Sequence, residues 1–158
     1  ESLIVRPRDV FDNAVPSGSS VAAEVMLRLA VLTGDDGYRR RAASCLRQMK
    51  ELMVRVPTGT AHWLCAMDFY LSTPKEIVII GPRGDDATKA LLDQVYKVFL
   101  PIKVVVGRDH SDATVVSGIP LLQGKVMLDG APTAYVCENN TCQMPVTRPE
   151  DLARQLSP

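Results

Sequence analysis

The hydrophobic positions of residues 1–72 recur at helical spacing and predict three α-helices. The polar composition of residues 12–20 predicts a loop before the first helix. Its serines can cap the start of that helix. This helix ends at Thr33-Gly34 and has an apolar stripe made of Val21, Val25, Met26, Leu29 and Leu32. An amphipathic stripe of this kind is buried against neighbouring helices, so we expect a packed helical segment.

The first two helices are joined by a four-residue turn and are predicted to form an antiparallel hairpin. Asp35 or Asp36 caps the second helix, and Pro57 ends it. The third helix, between Trp63 and Leu71, is apolar on almost every side, which predicts that it is buried. Three helices leave an apolar face that needs more partners than these residues provide. We therefore expect a truncated helical array or a homo-oligomer.

The pattern changes at Ser72-Thr73-Pro74, which divides a helical domain, residues 1–72, from an α/β domain, residues 75–158. Ile77-Val78-Ile79-Ile80 is an uninterrupted β-branched run, typical of a strand buried on both faces. A helical pattern follows, and Lys103-Val104-Val105-Val106-Gly107 is a second strand. Strand, helix and strand with short links predict parallel pairing and a right-handed crossover.

The next strand pair is predicted to be a β-hairpin whose register can be counted. Asn139-Asn140 suits a two-residue type I′ turn, because Asn tolerates positive φ. Glu138 and Thr141 would flank the turn as a hydrogen-bonded pair. Cys137 then lies opposite Cys142 in a non-hydrogen-bonded pair, where Cα atoms approach to about 4.5 Å. That separation permits a disulfide.

Cys137 and Cys142 therefore have three alternative states: a structural or reversible disulfide, a reduced packed pair, or zinc ligands. Zinc is disfavoured because no second ligand pair accompanies them. A reduced pair is favoured in a cytoplasmic protein. Thiol–disulfide exchange would require an exposed pair with a low pKa.

A final helix over residues 149–156 closes the chain, with Thr147 as its expected cap and Glu150 as the third position of a capping box. Residues 112–116 are consistent with a short helix. The order is then strand, helix, strand, uncertain helix, strand, strand and helix.

This order resembles a thioredoxin-like fold. Such folds place a cis-proline just before the third strand, and Pro132 occupies the corresponding point. The redox Cys-x-x-Cys motif would follow the first strand, where this chain has Gly81-Pro82-Arg83-Gly84 without a thiol. The resemblance therefore implies a degenerate thioredoxin-like module that lacks this chemistry.

Three segments, Asp12–Ser20, His62–Gly81 and Pro132–Leu152, are together similar to the C-terminal region of a family of thioredoxin-domain-containing proteins related to a mammalian spermatogenesis-associated protein. The resemblance implies an N-terminal thioredoxin-like domain and an (α/α)6 toroid similar to those of sugar epimerases and glycosidases. This chain would then hold the last toroid helices and the C-terminal module, and its partners would be the remainder of the full-length chain. Ser19 departs from the Asn usual in the family, so no role of that Asn is transferred to it.

Charge and composition narrow the function classes. Lys+Arg and Asp+Glu are balanced at 18 each, so no basic surface favours nucleic acid. No apolar run has the length of a membrane span and no signal peptide is visible, which predicts a cytoplasmic protein without membrane partners. The sequence begins with Glu1 rather than Met, from which we expect a piece of a longer protein. No residue spacing indicates a metal or another cofactor.

The loop around Asp12 is the main candidate site of the helical segment. In a toroid, loops at helix starts line the central cavity, and Asp12 would be the acid or base of a carbohydrate-processing site. Asn13, Ser17 and Arg6 would bind sugar hydroxyls, as amides, hydroxyls and guanidinium groups do. The alternative is a turn whose polar side chains bind its own backbone. Asp9 would either join this site or form an ion pair at the surface.

Two further positions have structural interpretations that are favoured over functional ones. His62 lies beside Trp63 on an apolar helix, where a histidine is more often a hydrogen-bonded core residue than a catalytic one. The turn before Asp85 and Asp86 lies between a strand and a helix, as phosphate sites do. Their negative charge opposes a phosphate, so an N-capped turn is favoured.

No residue set amounts to a catalytic signature, so the leading hypothesis is a non-catalytic C-terminal part of a multidomain protein. Its helices would complete a sugar-type toroid, and its α/β module would pack against that toroid or a partner. The alternatives are a carbohydrate isomerase or hydrolase and a thiol–disulfide exchange protein.

Overall fold

The computed structural model describes residues 9–109, 118–139 and 141–157. Contacts divide the described residues into two compact units. The first comprises the residues up to 31 together with 35–72, and the second comprises 32–34 together with the residues from 73 onward.

The helical unit contains the three predicted helices. They are α1 (Gly18–Thr33), α2 (Asp36–Arg55) and α3 (Ala61–Leu71), the last preceded by a 3-10 turn at Pro57–Thr60. Ser17 caps α1, because its Oγ accepts the Ser20 N–H at 3.2 Å. Asp35 caps α2 by accepting the Gly37 N–H at 2.7 Å. The helix starts follow from short polar side chains, as predicted.

The buried face of α1 differs from the predicted stripe. Its buried residues are Ser20, Ala23 and Leu27, whereas Val21 and Val25 are 39% and 47% exposed. Apolar residues lie on more than one side of α1. The side that contains Ser20, Ala23 and Leu27 is the one packed inside this unit. The helices α2 and α3 contribute the remaining core residues, which are Ala42, Ala43, Leu46, Met49, Met53, Trp63, Ala66 and Phe69.

The prediction that α3 is buried on all sides is wrong. Trp63, Ala66 and Phe69 form one buried stripe, but Leu71 is 74% exposed and Leu64 is 39% exposed. Within this unit α3 contacts α2 and the 3-10 turn, and its Phe69 ring lies 4.9 Å from the Arg28 guanidinium of α1, while Leu64 and Leu71 stay exposed.

The second unit is an α/β module built on a four-stranded mixed sheet, which confirms the predicted fold class. Its elements are β1 (Lys75–Ile80), α4 (Asp86–Lys97), β2 (Lys103–Arg108), a 3-10 turn at Pro120–Leu122, β3 (Thr133–Glu138), β4 (Thr141–Cys142) and α5 (Pro149–Leu156). The strand order is β2-β1-β3-β4. As predicted, β1 and β2 are parallel, while β3 is antiparallel to both β1 and β4.

One face of this sheet packs against α4 and α5. Ile77 and Ile79 of β1 meet Leu91 of α4 and Leu152 of α5 in a fully or almost fully buried cluster. The cluster is completed by Val95, Ala134, Val136 and Leu156. The central position of β1 explains its continuous β-branched sequence, because both of its faces are covered.

Two local predictions in this module are corrected. The Ala131–Pro132 peptide bond is trans, as are all peptide bonds between described residues. The chain reverses just before it, at Asp129 and Gly130, which have φ of 49° and 75° and close a bridge between Leu128 and Ala131. The reversal therefore requires no cis bond at Pro132.

The cap of α5 is Arg148 rather than Thr147, and the Arg148 side chain makes no capping hydrogen bond. The helix itself begins at Pro149 as predicted; Pro149 keeps Arg148 extended, so Arg148 rather than Thr147 is the residue at the cap position. The short helix considered for residues 112–116 lies outside the described residues.

Candidate functional site

Asp12 is buried in the helical unit, and its carboxylate accepts four hydrogen bonds. Oδ1 accepts the Ser17 N–H at 2.8 Å and the Ser20 hydroxyl at 2.7 Å, both at the start of α1. Oδ2 accepts the N–H groups of His62 and Trp63 at 2.9 and 3.3 Å, in the first turn of α3. One side chain thus joins the N-terminal ends of two helices, and it reaches the second through residues about fifty positions away in sequence.

These hydrogen bonds control the ionisation of Asp12. Burial alone raises the pKa of the carboxyl group, but the bonds from Ser17, Ser20, Trp63 and His62 favour its charged form and outweigh burial. The pKa is therefore lowered from its ordinary value of 3.8. The partial positive charges of two helix N-termini are suited to holding a carboxylate.

The fold itself uses the hydrogen-bond acceptor capacity of Asp12. A carboxylate has about four lone-pair directions, and the fold uses four hydrogen bonds to Asp12. Ser17 is buried and binds Asp12 through its N–H and Ser20 through its hydroxyl. Asn13 is exposed, and Arg6 lies outside the described residues. The structure therefore brings Asp12 and Ser17 together as parts of a helix-capping network.

The side chain of His62 lies beside a carboxylate that the sequence did not indicate. Its Nε2 is 3.0 Å from Glu24 Oε2 on α1, at ion-pair distance but without hydrogen-bond geometry. Glu24 Oε1 accepts from Arg28 Nε at 2.8 Å, and the Arg28 guanidinium lies 4.9 Å from the centre of the Phe69 ring. The i, i+4 spacing of Glu24 and Arg28 was a visible signal for their pairing. Nothing in the sequence pattern placed His62 next to them.

Cys137 and Cys142 form a disulfide across β3 and β4, with Cα atoms 3.9 Å apart. The predicted register is confirmed, with Cys137 opposite Cys142 and Glu138 opposite Thr141. The expectation of a reduced pair is corrected, because the hairpin brings the two thiols to bonding distance. Cys137 is 1% exposed, whereas Cys142 is exposed to solvent.

The turn between β1 and α4 has the N-capped form that the sequence favoured. Asp85 Oδ2 accepts the Thr88 N–H at 2.9 Å and the Thr88 hydroxyl at 3.2 Å. The cap places a carboxylate where a phosphate would bind the helix N-terminus. Gly81 is required for this packing, since a Cβ there would lie 2.3 Å from Thr88 Oγ1.

The described residues show neither a cluster of metal ligands nor a membrane-spanning helix. Residues 9–109, 118–139 and 141–157 contain no group of three or more potential metal ligands from His, Cys, Asp and Glu. In the same ranges, no helix has the length and hydropathy of a transmembrane span.

Comparison with known proteins reveals a set of much longer relatives. The chain is 36% identical to human spermatogenesis-associated protein 20 over 157 residues, which is 99% of this chain and 20% of the human protein. The rat protein of the same name is 34% identical over 155 residues, again covering 20% of its length. An uncharacterized protein of Caenorhabditis elegans, B0495.5, is 25% identical over 153 residues. No family model and no solved structure matches the chain.

The relatives confirm the predicted resemblance to multidomain proteins of the spermatogenesis-associated family. The chain is homologous to spermatogenesis-associated protein 20 along nearly all of its own length. It spans about one fifth of the length of these relatives.

Proposed function

We propose that this chain is the C-terminal part of a multidomain thioredoxin-domain protein and acts there as a structural and interaction segment. Its helical unit completes a larger helical array, of the toroid type that the family resemblance implies. Its α/β module is a thioredoxin-like module that lacks the redox motif. The ratio of this chain's length to that of its relatives supports the proposal, because four fifths of each relative lies elsewhere.

The proposal rests mainly on two exposed valines of α1. Val21 and Val25 are one helical turn apart and are exposed, while Ala23 and Leu27 are buried within the unit. Val21 and Val25 therefore form an exposed apolar strip on α1, beside the charged pair Glu24 and Arg28. The exposed valines are therefore expected to pack against another part of the full-length protein.

The topology of the α/β module supports the thioredoxin-like assignment. Strands β1 and β2 are parallel, β3 and β4 extend the sheet in antiparallel order, and α4 and α5 cover the same face. Gly81 follows β1 at the point where a thioredoxin would have its first cysteine, and no thiol is present in the sequence of this turn.

A charge at Val25 tests the packing of the helical unit in the full-length protein. We expect Val25→Asp to destabilise it by about 3 kcal/mol, because a carboxylate would replace an apolar side chain at a contact that excludes water. The matched control, Lys50→Asp on the exposed side of α2, should stay within about 0.5 kcal/mol of wild type. Pulse proteolysis in urea measures both values. Equal, small effects of the two variants would remove the main support for the proposal.

Carbohydrate processing, with Asp12 as acid or base, is not what the geometry favours. The carboxylate is engaged by four donors of the fold, and its pKa is lowered rather than raised. A general acid at neutral pH needs a raised pKa. We therefore assign Asp12 a structural role.

We propose thiol–disulfide exchange as a second candidate function: the pair is not exposed as a whole, because Cys137 is buried, but the exposed Cys142 gives a partner thiolate one point of attack. A thiolate of a partner dithiol would attack Cys142 Sγ, and Cys137 would leave as a thiolate and take up a proton. The second thiol of the partner would then break the mixed disulfide, leaving this chain reduced and the partner oxidised. Equilibration of the full-length protein in glutathione buffers, read by mass after maleimide labelling, tests this step.

The same disulfide should contribute measurably to stability. Closing a six-residue loop restricts the unfolded chain, so reduction is expected to lower the free energy of unfolding by about 2 kcal/mol. Cys142→Ser should reproduce that loss, and Cys65→Ser, at an exposed free cysteine, should not. A pair that stays oxidised throughout the glutathione range would leave the stabilising role intact and exclude the exchange function.

A further inference from the structure

The α/β module contains a cavity of about 410 Å³ at the carboxyl ends of the parallel strands β1 and β2. Ile79 and Leu92 give it apolar walls, and Gly107 leaves space along β2. Arg83 and Lys89 lie on the rim. Crevices at the carboxyl ends of parallel strands are frequent ligand sites, and this volume is in the range of small-molecule pockets.

The charged residues that line the cavity are three cations and two anions: Arg83, Lys89 and Arg108, and Asp85 and Asp109. The carboxylates of Asp85 and Asp109 accept the backbone N–H groups of Thr88 and Arg83 at 2.9 and 2.8 Å. The Arg83 guanidinium and the Lys89 ammonium group are exposed, and no described carboxylate lies within ion-pair distance of either. Arg108 donates to the Lys125 carbonyl at 3.0 Å, so Arg83 and Lys89 are the two exposed cations beside the apolar surfaces of Ile79 and Leu92.

From this arrangement we propose that the cavity binds a small organic anion with an apolar body. The anionic group pairs with Arg83 and Lys89, and the apolar group lies against Ile79 and Leu92. The N-terminus of α4 takes no part, because the Asp85 carboxylate already occupies it. This binding activity is independent of both functions proposed above.

Gly107 provides a way to fill the cavity without disturbing the fold. A Cβ at Gly107 would meet no atom within 4 Å, whereas one at Gly81 would collide with Thr88. Residue 107 lies in β2, where a β-branched side chain is well tolerated. Gly107→Val should therefore occupy the cavity and leave the stability of the module unchanged.

The test uses phenyl phosphate as the probe and the full-length protein as the sample. Acetylation of Lys89 by a reactive ester is followed by mass spectrometry, with Lys97, at the end of the same helix and outside the cavity, as the internal control. At ten times its dissociation constant the probe should slow acetylation of Lys89 about tenfold by mass action. The rate at Lys97 should not change.

Three variants complete the test. Gly107→Val should abolish the protection of Lys89 while keeping the wild-type unfolding midpoint. Arg83→Gln should weaken it about tenfold, because a charge-assisted hydrogen bond is lost, and Lys50→Gln should have no effect. The proposal is overturned if phenyl phosphate gives no protection, slows Lys89 and Lys97 equally, or protects Lys89 equally well in Gly107→Val.

Discussion

Asp12→Ala is expected to lower the free energy of unfolding of the helical unit by about 3 kcal/mol, because buried donors lose a charged acceptor. The N–H groups of Ser17, His62 and Trp63 and the hydroxyl of Ser20 all donate to this carboxylate. The substitution would also separate the starts of α1 and α3. Urea unfolding followed by circular dichroism measures the effect.

The matched control for Asp12 is Asp36→Ala, which removes an exposed carboxylate from the first turn of α2. That change should cost no more than about 1 kcal/mol, the usual size of a helix-dipole interaction. A similar loss for both variants would show that Asp12 acts only as one more surface charge.

The pH dependence of stability provides an independent test of the same network. The pKa of Asp12 is lowered in the folded protein, so the unfolded chain binds its proton first as the pH falls. The stabilisation is complete above about pH 5 and decreases below the ordinary 3.8, toward the lowered pKa. Asp12→Asn should flatten this acid branch of the wild-type curve.

Leu152→Ala is expected to destabilise the α/β module by about 3 kcal/mol, as large-to-small changes at fully buried leucines do. Leu152 is fully buried between α5 and the sheet, in the cluster with Ile77 and Ile79. Because α5 has only eight residues, its helical state depends on this packing rather than on intrinsic propensity. Thermal and urea unfolding should both register the loss.

The control for Leu152 is Met144→Ala, in the same module and 81% exposed. It should change stability by no more than about 0.5 kcal/mol. Equal effects at the two positions would mean that α5 is not fixed to the sheet through Leu152.

The parts of the fold that the sequence predicted correctly are those governed by local rules. The β-branched run of β1, the caps at Ser17 and Asp35, and the register of Cys137 with Cys142 each depend on a few neighbouring residues. The redox state of that pair was predicted incorrectly from the expected compartment. The register was the stronger constraint, because it brings the two sulfur atoms together.

The parts that were not predictable depend on contacts between distant residues. His62 and Trp63 are about fifty residues from Asp12, so no spacing rule connects them to its carboxylate. The buried side of α1 was also ambiguous, because its apolar residues lie on more than one side and the pattern does not show which side its own unit covers. The surface that the sequence pattern predicted as buried, Val21 and Val25, is the one left exposed here.

The exposed side of α1 therefore offers the most direct measurement of the central proposal, that another part of the full-length protein covers this helical unit. Val25→Cys and the control Glu51→Cys are introduced into a full-length protein in which Cys45 and Cys65 are serine, and the rate of maleimide labelling is measured under native conditions. In the present chain Val25 is 47% exposed and the Glu51 side chain 83%. The proposal predicts strong protection of residue 25 and free labelling of residue 51, and rapid labelling at both positions would contradict it.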